Sequence, residues 1–274
     1  MASLAVLPFP NIDTVAFSIG PFAVRWYALA YIAGLLFAQW YMKRLVRQPA
    51  LWGATTPTMT PEQIDGFFVW SVLGVVVGGR LGYVLFYNPL HYLAHPLDIA
   101  RMWDGGMSFH GGFLGVVVAC LIFGRRIGAG LDRMLDLGAA SVPVGLGLGR
   151  LANFINGELY GRASNVPWSF VFPNDPLQVP RHASQLYEAG LEGLALFVAV
   201  RIATHRFKAL THPGRASGVF ALGYGLARII AEFFREPDRH IGYFAGFITM
   251  GMILSLPLCA AGIWLLARSR RDAA

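Results

Sequence analysis

The stretch GRLANFINGELYGR, residues 149–162, sets two Arg, two Asn, a Glu and a Tyr directly after a run rich in Val, Gly and Leu. Polar groups are costly in apolar surroundings unless they are paired or used. Others recur at helical spacing, which places them on shared helix faces. The sets are Arg80, Tyr83 and Tyr87; Arg150, Asn153 and Gly157; Gln185, Glu188 and Glu192; and Tyr224, Arg228, Glu232 and Arg235. Arg80, Arg150 and Arg228 suit a phosphate, because guanidinium is planar, always charged and donates paired hydrogen bonds to such oxygens. His110, in MSFHGG, is the natural proton acceptor, since its charge can change near neutral pH. No GxSxG elbow, HExxH pair or carboxylate metal cluster accompanies them. That argues against a serine lipase or zinc peptidase, and neither metal nor cofactor is expected. Cys120 and Cys259 lie in apolar segments without a CxxC, so they suit neither a disulfide framework nor zinc.

The elements that must hold these groups read as membrane helices. The chain is 55% hydrophobic and only 14% charged, where a soluble domain carries about a quarter charged residues. Seven stretches approach the roughly 20 apolar residues that cross a bilayer: about 21–42, 66–87, 107–124, 132–154, 184–204, 216–234 and 244–267. Basic clusters alternate with them: Lys43, Arg44 and Arg47; Arg125, Arg126 and Arg133; Arg206, Lys208 and Arg215; Arg268, Arg270 and Arg271. Seven crossings put every cluster on one side, the cytoplasmic one. The expectation is an all-α polytopic membrane protein of about seven transmembrane helices. Its N-terminus is outside, its C-terminus cytoplasmic, and a small extracytoplasmic head surrounds 155–183.

The net charge of +7 then reflects topology, and no nucleic-acid partner is expected. No linker or clear repeat divides residues 1–274, which read as one domain. MASLAVLPFPNIDT lacks a basic n-region and carries two prolines, unlike a cleaved signal peptide. In this topology five helices aim polar groups at one outer-leaflet level. A lone Arg near a helix end commonly snorkels, and His91, His95, His205, His212 and His240 read as loop or surface residues. Convergence at one depth points instead to a polar cavity. Gly78, Gly79, Gly82, Gly145 and Gly149 fit close helix packing. GLGLGRLA (145–152) lacks the preceding strand of a dinucleotide site. A phosphate at the outer leaflet means a phospholipid head group.

GRLANFINGELYG strongly resembles the signature of the prolipoprotein diacylglyceryl transferases. GGRLGYVLFYNP (78–89), DGGMSFHGG (104–112), HASQLYEA (182–189) and GYGLARIIAEFFREPD (223–238) resemble the family's other blocks, in order. The resemblance implies a bacterial inner-membrane enzyme with its site toward the extracytoplasmic side. Its partners would be phosphatidylglycerol, the signal peptide of a prolipoprotein with its lipobox cysteine, and the lipid bilayer. The diacylglyceryl group would move to that cysteine's thiol, forming a thioether and releasing glycerol-1-phosphate, the first step of lipoprotein maturation. The catalytic set would be His110, Arg150, Tyr224 and Arg228. Substrate binding would fall to Arg80, Tyr83, Asn153, Asn156, Gly157, Glu158, Gly161, Glu232 and Arg235. A transporter or flippase would also need a polar cavity, but the odd span count without visible inverted repeats argues against it. A phosphotransferase would call for an Asp cluster, and none is present.

Overall fold

The computed structural model describes residues 6–10, 12–102, 105–237 and 248–271. Asp104, Asp238, His240 and the start of the seventh expected span (244–247) lie outside them. A helix overlaps each expected segment. These are α1 (Trp26–Val46), α2 (Pro61–Phe86), α4 (Phe109–Ile127), α5 (Leu131–Ile155), a composite helix from Ser184 to His205, α8 (Arg215–Glu232) and α9 (Met250–Arg271). The short α3 (Pro89–Ala94) follows α2. The composite helix comprises α6 (Ser184–Glu188), one π-helical stretch (Ala189–Ala195) and α7 (Leu196–His205).

The chain is mostly helical, as an all-α protein is, and two small antiparallel sheets accompany the helices: β1 (Val15–Ile19) with β2 (Phe22–Arg25), and β3 (Phe170–Val171) with β4 (Pro180–Arg181). Residues 22–25, placed at the start of the first span, therefore belong to a hairpin. Gly20, at φ +57°, supplies the turn that a side chain would strain.

Helix limits follow local chemistry. Thr60 and Gln63 form a reciprocal capping box at α2, with Pro61 in its first turn. Ser108 caps α4 and left-handed Gly128 ends it. At α8 the cap comes from another helix. Asp136 of α5 accepts from the amides of Gly214 and Ser217, each at 2.7 Å, and from the Ser217 hydroxyl at 2.8 Å.

Small residues set the packing. A Cβ on Gly193 would lie 2.6 Å from the Gly147 Cα, so α5 meets the π stretch backbone to backbone. Gly74, Gly78 and Gly82 meet Gly111 and Gly115 in the same way across α2 and α4. Gly149, by contrast, has open space where its Cβ would be. Side chains such as Leu73, Leu85, Phe113, Leu254 and Trp264 face outward from the helices. Among the described residues three helical stretches, Pro61–Phe86, His110–Ile127 and Met250–Ser269, are long and apolar enough to cross a membrane. Such an outward apolar surface fits a membrane protein.

The chain's apolar core, including Leu45, Trp52, Met59, Ile64, Leu137 and Val200, surrounds the start of α5. The polar block occupies the other end of that helix. There the head packs Phe9 against Phe154, Phe170 and Phe172.

Candidate active site

Three helices bring six charges together. Arg150 near the end of α5 reaches Glu188 Oε2 with Nη1 at 2.8 Å and Glu192 Oε2 with Nη2 at 3.2 Å. From α8, Arg228 Nη2 pairs with Glu232 Oε1, while its Nη1 lies 3.4 Å from Glu188 Oε1 and 3.6 Å from Glu192 Oε1. Arg235, just past α8, reaches Glu188 Oε1 with Nη1 at 3.3 Å. The side chains of Glu188 and Glu192 are 1% and 0% exposed, against 21% for Arg150. So deep a carboxylate must be paired to stay charged. Three arginines and three glutamates give no net charge. Even so, Arg228 Nη1, Glu188 Oε2 and Glu192 Oε1 make no hydrogen bond. Their neighbours lie at ion-pair distance without the required geometry.

Beside this cluster a polar cavity of about 290 Å³ opens between α8 and α9, lined among others by Tyr224, Arg228, Glu232, Arg235 and Thr249. A second recess, of about 240 Å³, is lined by Gly157, Glu158, Asn174 and Arg235. Arg235 borders both. Asn153 and Asn156 donate to Glu158 Oε1 at 2.8 and 3.2 Å, and Gln185 donates to the Glu158 carbonyl at 2.6 Å. Gly157 is left-handed, at φ +64°, and turns the chain out of α5.

The rest of the block clamps the end of α8. Gly161 donates to the His182 carbonyl at 2.8 Å, and a Cβ there would strike the Phe234 carbonyl. Arg162 donates to the carbonyls of Arg235 and Glu232, both at 2.9 Å. Burial and the nearby Arg162 charge hold His182 below its ordinary pKa. In the head, the Arg181 hydrogen bond holds Asp175 below the usual carboxylate range. Arg181 pairs there with Asp175 and Glu236.

The expected residues thus divide. Arg150, Tyr224, Arg228, Glu232 and Arg235 form one group, with Asn153, Asn156, Gly157, Glu158 and Gly161 adjoining. Arg80 stands apart, and its assignment as a phosphate ligand needs correction. Nε, Nη1 and Nη2 donate to the carbonyls of Ile99, Gly105, Gly106, Asp98 and Arg101 at 2.5–3.2 Å. These five bonds use all five of its N–H groups. Tyr83 stacks on Tyr87 and packs against Gly106. His110 lines an apolar groove of about 780 Å³ between α2 and α4, with Gly78, Gly82, Tyr87 and Ser108.

Sequence reasoning placed Glu188 and Glu192 on a polar stripe but not among the site residues. They prove to be its central anions. Tyr27 of α1, within electrostatic reach of Arg150 and Glu158, and Thr249 were missed. Thr249 belongs to no polar stripe, and Tyr27 shares its helix face only with Tyr31, whose hydroxyl lies 3.1 Å away. Among the described residues no three His, Cys, Asp or Glu side chains could hold a metal ion together.

The family model described as prolipoprotein diacylglyceryl transferase matches residues 14–268. A Brucella anthropi protein named phosphatidylglycerol–prolipoprotein diacylglyceryl transferase is 53% identical over 272 residues, 98% of this chain and 96% of the relative. Proteins of the same name from Brucella canis and Brucella suis are 54% identical over the same shares.

Proposed function

Because this chain belongs to the prolipoprotein diacylglyceryl transferase family, we propose that it moves the diacylglyceryl group of phosphatidylglycerol onto the lipobox cysteine of a prolipoprotein. The thiol sulfur attacks the glyceryl carbon that bears the phosphate. A carbon–sulfur bond forms as the carbon–oxygen bond breaks, and its electron pair leaves with glycerol-1-phosphate. The thiol proton passes to a base, since the thiolate is the reactive form.

One observation carries the assignment of roles: the buried cluster in which Arg228 Nη1 makes no hydrogen bond although the Glu188 and Glu192 carboxylates lie 3.4 and 3.6 Å away. An incoming phosphate completes that donor. Arg150 and Arg228 stabilise the charge that grows on the departing phosphate, as fixed donors do. Glu188, Glu192 and Glu232 keep the arginines oriented and neutralise them while the site is empty. Asn153, Asn156 and Glu158 bind the glycerol hydroxyls, and Tyr224 orients the lipid. Gly157 and Gly161 shape the wall, and Arg235 links the two recesses. Tyr83 belongs to the neighbouring wall beside Gly106. His110 accepts the thiol proton, which requires the peptide to approach from the α2–α4 side.

The topology follows the same reading. Seven helices cross the bacterial inner membrane with the N-terminus outside, and the site lies toward the extracytoplasmic leaflet. The test is a mass measurement on a lipobox peptide incubated with purified protein and phosphatidylglycerol. A diacylglyceryl adduct with released glycerol-1-phosphate is expected. An unmodified peptide overturns the assignment.

A further inference from the structure

The first residue before α9 belongs to none of the polar stripes, yet it touches the charged cluster. Thr249 is 2% exposed. Its hydroxyl donates to Glu232 Oε2 at 2.6 Å and accepts from the Met252 amide at 3.2 Å. The Ile253 amide bonds its carbonyl at 3.2 Å. Thr249 is thus the N-cap of α9, and the proton not used in capping points at a site carboxylate.

The contact depends on how closely α9 lies along α8. A Cβ on Gly225 would be 2.5 Å from the Cys259 sulfur, and one on Gly218 would be 2.9 Å from the Leu266 side chain. At the end of this seam Glu232 fills the place where a Gly251 side chain would stand. Glu232 therefore has two differently held oxygens. Oε2 belongs to Thr249. Oε1 pairs with Arg228 and lies 4.0 Å from Arg235 Nε.

We propose that Thr249 is a positioning residue for the transfer site: by holding Glu232 Oε2 it restricts that carboxylate to one-oxygen pairing with Arg228. Carboxylate and guanidinium otherwise favour a two-bond fork. Without the hydroxyl, Oε2 becomes a buried acceptor in need of a donor, and Arg228, already paired with Oε1 of the same carboxylate, can supply one. Closing that fork draws Arg228 toward α9 and occupies the donor otherwise offered to the lipid phosphate.

The inference rests on the proposed transferase reaction, and the experiment separates the two. Turnover and peptide KM are measured for the full-length protein in phosphatidylglycerol-containing nanodiscs, beside thermal melts. Thr249→Val is expected to lower turnover roughly tenfold to a hundredfold, the effect of losing a hydrogen bond to a charged group, with peptide KM unchanged. Thr249→Ser keeps both bonds and retains most turnover. Thr249→Asp also caps α9, but it sets a carboxylate against Glu232 and is expected to be as slow as Thr249→Val. Native turnover in Thr249→Val overturns the proposal. So does recovery in Thr249→Asp, which would mark Thr249 as a cap alone. Absence of transfer by the unmodified protein overturns both the reaction and this inference.

Discussion

Arg80 and Arg228 are the same side chain in opposite circumstances. Arg80 is 3% exposed, lies over the Tyr92 ring and spends every N–H on a backbone carbonyl between Asp98 and Gly106. Those partners are backbone dipoles, and they cannot change allegiance. Arg228 faces charged side chains from two helical segments, and its Nη1 makes no hydrogen bond. Burial alone does not distinguish the two. Satisfaction does: one arginine spends all its donors on the fold, and the other keeps one donor without a hydrogen bond, the one the proposed function gives to the lipid phosphate.

If that contrast is sound, the largest effect comes from changing the lipid. Phosphatidylethanolamine lacks the head-group glycerol hydroxyls that the proposed function assigns to Asn153, Asn156 and Glu158. Its rate on a lipobox peptide is expected to fall by roughly four orders of magnitude, measured as adduct formed. Comparable rates from the two lipids would show that the head group is not read. Next come the cluster arginines. Arg150→Ala should cost about 10³-fold in transfer while the protein stays folded, and Arg150→Lys should be nearly as poor, since a point charge cannot replace the fork. Full activity in Arg150→Ala would remove the phosphate clamp.

Arg80→Met tests the other side of the comparison. Several carbonyls lose their donor at once, so stability should drop by about 3–5 kcal/mol, read as a lowered melting temperature. Transfer per folded molecule should stay within about tenfold. A dead variant with an unchanged melting temperature would erase the distinction between the two arginines.

The head offers a milder effect. Arg181 lowers the Asp175 pKa, so this pair stabilises the folded state above the ordinary carboxylate value of about 3.9. That stabilisation is lost as pH falls through the lower folded value. Asp175→Asn should therefore melt below the parent protein at pH 7, and the gap should close toward pH 3. A gap independent of pH would mean that charge is not the cause. The smallest effect is expected from replacing Cys120 and Cys259 together by Ala. Cys120 is buried in the apolar core and Cys259 packs on Gly225, so activity should survive. A folded but inactive double variant would point to an enzyme-bound intermediate.

Much of this was legible in the residues. Long apolar runs broken by charge indicated the helices, and three- and four-residue spacing placed Arg150 with Asn153 and Arg228 with Glu232. What escaped depended on partners distant in the chain. Nothing local in GGRLGYV reveals that Arg80 will meet carbonyls about 20 residues later. Glu188 and Glu192 lay on a visible stripe, but their importance arises from Arg150, 38 and 42 residues away, and from Arg228 beyond them. The β1–β2 hairpin was hidden because VAFSI and FAVR are as apolar as the helix that follows.

The π stretch has a consequence for phase. Ser184, Glu188, Glu192, Leu196, Val200 and Thr204 are all buried, each four residues after the last. An uninterrupted α-helix overshoots by about 40° every four residues. Over five such steps the end of the series would face nearly opposite its beginning. The wider turn at Ala189–Ala195 takes back part of that rotation, so carboxylates at one end and aliphatic side chains at the other keep to a common inward face. Remove a single residue there and the two ends slip by about 100°. The register between the charged cluster and the apolar core is therefore set by chain length, counted to one residue, as well as by the identity of any side chain.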